Sequence, residues 1–92
     1  MKHPTEIENY DGDLRNLARE VTNLRYDSLT KFLNYISMYL KLDANKDLKR
    51  RNMQLYSKLH DVFTYLDKSI NDMEKVWNIC KLHMKETNEN KS

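Results

Sequence analysis

Between Leu55 and Met84 an apolar side chain recurs at every third or fourth position: Leu55, Leu59, Val62, Leu66, Ile70, Met73, Trp77, Cys80 and Met84. The steps are 4, 3, 4, 4, 3, 4, 3 and 4. Only a helix brings such a series onto one side, and the near-heptad spacing asks for coiled-coil-like packing. Neither Gly nor Pro interrupts the run. Phe63, Val76 and Ile79 widen the stripe beyond two positions per heptad, as in a helix that belongs to a bundle. The spacing predicts one helix over about residues 46–86, with Leu55 to Cys80 as its core seam.

The chain has one Gly and one Pro in 92 residues, too few for the tight turns of a β-rich fold. An all-α class follows. Upstream, Leu14, Leu17, Ala18, Val21, Leu24, Leu29, Phe32, Leu33, Ile36, Tyr39 and Leu40 stay on one broad stripe at helical pitch. Asp11 or Asp13 is placed to cap this segment. The pattern predicts a first helix over about residues 12–41, running through the polar Tyr26-Asp27-Ser28 step. Leu42 to Asp47, with the capping types Asp43, Asn45 and Asp47, reads as the break between the two helices. A loop so short joins antiparallel neighbours. Residues 1–10 read as a flexible arm, where Thr5 and Glu8 have capping-box spacing. Residues 11–86 read as a single helical domain, and 87–92 as a polar tail.

A two-helix hairpin covers one side of each helix and leaves apolar flank in water, the mark of an interface. The expected remedy is a homodimer that completes a four-helix bundle. The alternative is a three-helix bundle within one chain, with residues 70–86 folded back.

Composition sets the wider bounds. No apolar run approaches the ~20 residues of a membrane-spanning helix. The N-terminal stretch is acidic and lacks the apolar centre of a secretory leader. A single cysteine, Cys80, forms no internal disulfide and suits a reducing, cytoplasmic setting. Formal charge is +2, so no anionic partner is demanded.

Chemistry-bearing motifs are sparse. Cys80 and His83 lie one turn apart, but a zinc site needs about four ligands, and no CxxC or HExxH accompanies them. His60 and Asp61 are adjacent and so point apart on a helix. With one Gly there is no backbone cradle for phosphate. The sequence predicts neither an enzyme nor a metal or cofactor site.

Two surface features remain. Lys46, Lys49, Arg50 and Arg51 cluster around Asp47 and are the candidate nucleic-acid contacts, with Arg15, Arg19 and Arg25 as extensions of that surface. On the predicted boundaries they occupy the first turns of a helix, where the dipole disfavours cations. The aromatics suggest a protein interface, because Tyr and Trp combine an apolar body with a polar tip. The candidate interface residues are Tyr35, Tyr39, Tyr56, Phe63, Val76, Trp77 and Ile79. Tyr35 and Tyr39 fall near the predicted hairpin tip, with Tyr56 expected to face them. The function these features favour is a helical protein–protein interaction module or small regulator. The alternative is a small nucleic-acid-binding regulator using the basic cluster.

Overall fold

The structure, a computed structural model, describes residues 3–91, with side chains described through His83. The described residues form three helices and no strand: α1 (Leu14–Thr22), α2 (Tyr26–Lys49) and α3 (Met53–Lys91). The all-α expectation is met. Two long helices, α2 and α3, pack against each other, α3 being the longer and running past the start of α2, and α1 is a short addition before them.

α1 begins at Asp13, one of the two caps expected. Its carboxylate accepts the Asn16 amide at 2.8 Å, while the Asn16 side chain accepts the Asp13 amide at 3.3 Å. This reciprocal pair satisfies two of the amides that a helix start leaves without partners. The expected single helix over 12–41 is instead broken at residues 23–25. The Asn23 and Leu24 amides close onto the Arg19 and Val21 carbonyls, and Arg25 is extended (φ −55°, ψ 145°). Asp27 then fixes the restart by accepting the Ser28 amide at 2.9 Å and two Arg25 guanidinium bonds at 2.7 Å each. Those bonds hold the Asp27 carboxyl below, and the Arg25 guanidinium above, their ordinary values.

The expected break at Leu42 to Asp47 is unbroken helix, and the reversal comes at residues 50–52. The Asn52 amide donates to the Asp47 carbonyl at 2.8 Å and the Arg51 amide to the Leu48 carbonyl at 3.0 Å. This is a Schellman motif, which satisfies the last carbonyls of α2 without any capping side chain. The left-handed position is usually glycine, which has no Cβ to clash there. Here it is filled by Arg51 at φ 59°. Asp43, Asn45 and Asp47 are good caps but are tolerated within α2, where Asp43 lies 4.0 Å from Lys46.

α3 runs unbroken to Lys91, so no segment folds back at residue 70, and the expected polar tail is helical as far as it is described. Its covered seam is Tyr56, Leu59, Phe63, Leu66, Ile70, Met73, Trp77 and Cys80. Two members differ from the predicted set. Leu55 and Val62 are exposed, and their neighbours Tyr56 and Phe63 turn inward. The observed steps alternate 3 and 4 without exception, averaging the 3.5 residues that keep a seam on its partner. Met84 lies outside the described side chains.

The molecule is a thin plank measuring 59 × 31 × 14 Å. Its radius of gyration is 17.3 Å. A compact chain of this length has a radius of about 12 Å.

Candidate functional site: the outward face of α2

The buried residues of α2 are Thr30, Ser37 and Ala44, seven apart, with Ser37 2% and Ala44 1% exposed. Small side chains on this line let the α3 seam approach closely, and Ile70 is the large residue it buries most fully. Polar links cross the same contact. The Ser37 hydroxyl donates to Asp67 at 2.6 Å, and the Lys41 ammonium reaches the other Asp67 oxygen at 2.9 Å. These two partners, Ser37 first, hold the Asp67 carboxyl below its ordinary value. Lys41 also lies 5.6 Å from the Phe63 ring centre, and Arg25 lies 5.1 Å from that of Trp77. Both are within the range at which a ring face attracts a cation.

Leu33 and Leu40 are half-buried beside this line, while several other large side chains of α2 face out. Tyr35 and Tyr39 lie two residues either side of Ser37, about 160° around the helix from the α3 contact. Their exposures are 52% and 61%. Ile36, Met38 and Leu42 are exposed beside them, and Phe32 is half-buried. Phe32, Tyr35, Ile36, Tyr39, Leu40 and Asp43 line a shallow depression of about 330 Å³ whose walls are almost wholly apolar. This is an amphipathic helix turned outward. Its chemistry suits burial of another apolar surface, with two phenolic hydroxyls able to hydrogen-bond at the rim.

The other expected interface residues divide. Tyr56, Phe63, Val76 and Trp77 are half-buried, and Ile79 is exposed. Tyr56 and Phe63 flank His60, with ring centres 6.0 and 5.0 Å away. Tyr56 does not face Tyr39. Lys41 lies over Phe63, which fixes the register of the two helices. On that register Tyr39 and Tyr56 are about 13 Å apart along the hairpin axis. Nor are Tyr35 and Tyr39 at the tip, since Tyr39 lies about 16 Å before Arg50. Met38 and Leu42, exposed on the same helix, are not among the residues expected at the interface. The signal that finds them is the heptad of small residues at 30, 37 and 44, which marks the inner face of α2.

Lys46, Lys49, Arg50 and Arg51 lie in the last turn of α2 and the reversal after it, not at the start of a helix. There the dipole favours cations, so local stability accounts for them. Lys46 and Arg50 also line a cleft of about 540 Å³ with His3, Asp43, Asp47 and four further residues, a lining of mixed charge. Among the described residues no group of three or more His, Cys, Asp or Glu is placed to hold a metal, and Cys80 is a free thiol. No described helix is long and apolar enough to cross a membrane.

A scan of family models matches none, and searches of curated proteins and solved structures find no match to this chain.

Proposed function

We propose that this chain is a non-enzymatic protein–protein interaction module, in which the α2–α3 hairpin is the scaffold and the outward face of α2 is the docking surface. The observation that carries this reading is the inversion of α2. Thr30, Ser37 and Ala44 are buried, while Tyr35, Ile36, Met38, Tyr39 and Leu42 stand in water. Five large apolar side chains exposed within eight residues are costly for a chain working alone. The face becomes favourable once another helix covers it, as in helix-in-groove recognition. Completion of a four-helix bundle by two hairpins is one form this pairing takes.

Affinity capture from the native cell tests the reading, comparing the intact chain with a Tyr35→Glu/Tyr39→Glu variant of matched helicity. The expected result is that polypeptides held by the intact chain are lost from the variant. An identical captured set from both would overturn the assignment of this face.

A further inference from the structure

We infer that the occupant of the outward α2 face is the same face of a second copy of this chain, laid antiparallel about a twofold axis level with Ser37. This rests on the reading of that face as a docking surface. Ser28, Phe32, Tyr35, Tyr39, Leu42 and Lys46 form one ridge on the side of α2 away from α3, with steps 4, 3, 4, 3 and 4. The series reads alike in both directions, as an isologous antiparallel contact requires. Reversing it about residue 37 sets Tyr35 against the second copy's Tyr39 and Phe32 against its Leu42. On the flanks, Ile36 meets its own copy on one side and Met38 meets its own copy on the other. The pairs along the ridge are thus apolar against apolar, the charged Lys31 and Asp43 lie on its flanks, and the polar Ser28 and Lys46 close the ends. The ridge is about 27 Å long.

The chain of 11.1 kDa exposes 7902 Å². A compact monomer of that mass exposes about 5,700 Å², roughly 2,200 Å² less. A specific interface takes roughly 800 Å² from each partner. The surplus is ample for such a contact, and the exposed Tyr35, Ile36, Met38, Tyr39 and Leu42 of the α2 ridge and its flanks are part of it.

Two measurements on the full chain decide the matter. Sedimentation equilibrium is expected to give twice the chain mass of 11.1 kDa, falling to a single chain mass in Tyr35→Glu/Tyr39→Glu with helicity retained. Orientation is read by cross-linking in a Cys80→Ser background. Phe32→Cys and Leu42→Cys proteins, mixed and mildly oxidised, are expected to give a covalent dimer containing one of each. Each variant alone is expected to give little, because like positions are about 15 Å apart along the axis. Efficient cross-linking of each variant with itself means a parallel pair and overturns the arrangement. A monomer at high concentration overturns self-pairing, while the capture experiment above continues to test the docking face independently.

Discussion

The two long helices solve opposite problems with the same 3–4 repeat. α3 turns its bulk inward: Leu59, Phe63, Leu66, Ile70, Met73 and Trp77 all lie on the covered seam. α2 fully buries only the small Thr30, Ser37 and Ala44, with Leu33 and Leu40 half-buried beside them, and turns Tyr35, Ile36, Met38, Tyr39 and Leu42 outward. Large against small is a good fit for one pair of helices, because close approach gives α3 backbone as well as side chain to pack on. Neither helix is fully covered by the other, since Val62, Tyr65, Ile79 and Leu82 of α3 stay exposed as well. The core is thin as a result, and its most fully covered apolar residues are Ala44 and Ile70.

This contrast is open to attack by substitution. The largest effect is expected from Ile70→Ala, which removes the most buried large side chain. A loss of about 2–5 kcal/mol follows from the lost transfer energy plus the cavity. For so small a domain that is much of the total stability, and the test is the denaturant midpoint by circular dichroism. Next is Ala44→Leu, an apolar enlargement on the inner face of α2, expected to cost about 1–3 kcal/mol by overpacking. If it were neutral, the close approach of α2 to α3 would be wrong. At the turn, Arg51→Gly is expected to stabilise by about 0.5–1 kcal/mol, because glycine adopts the left-handed conformation freely. Part of the relief is offset by the entropy that glycine adds to the unfolded chain. A rise in the urea midpoint at unchanged slope checks it.

The smallest effect concerns acid. Asp67 is held below its ordinary value in the folded chain by Ser37 and Lys41. The unfolded chain therefore takes up a proton first as pH falls. The stabilisation is complete above the ordinary carboxylate value of about 4 and is lost as pH drops through the lower folded value. Melting temperature should accordingly fall less in Asp67→Asn than in the parent chain as the solution is acidified through that range. Because the Asp67 side chain is 43% exposed, solvent screening keeps the difference small.

Much of the fold was legible because it is local. Helical class, the Asp13 start and the rod through Leu59 to Cys80 all follow from spacing and turn chemistry. The errors share a cause, which is that apolar stripes hide breaks and strong caps suggest false ones. The step of five residues from Leu24 to Leu29 turns the stripe by about 140°, and only the breadth of the stripe hides the break at 23–25. The true turn contains no Gly or Pro, since Arg51 takes the left-handed place and backbone amides do the capping. At 55–56 and 62–63 two apolar residues stand side by side, and only packing against α2 selects Tyr56 and Phe63. The candidate site was half visible. Tyr35 and Tyr39 were identified by residue type, but their orientation depends on which side of α2 the small residues take.

The bond from Ser37 to Asp67 has a consequence for uniqueness. Two ridges that repeat every seven residues can in principle slide past each other by one repeat, about 10 Å, and still meet grease with grease. Slippage in one direction would set Asp67 beside the methyl of Ala44, with no hydroxyl to meet it. In the other direction it would meet Thr30, but Asn34 would stand where Lys41 now supplies the cation. A single polar fastening thus acts like the mark on a vernier, making one alignment of two otherwise repetitive scales distinct from its neighbours.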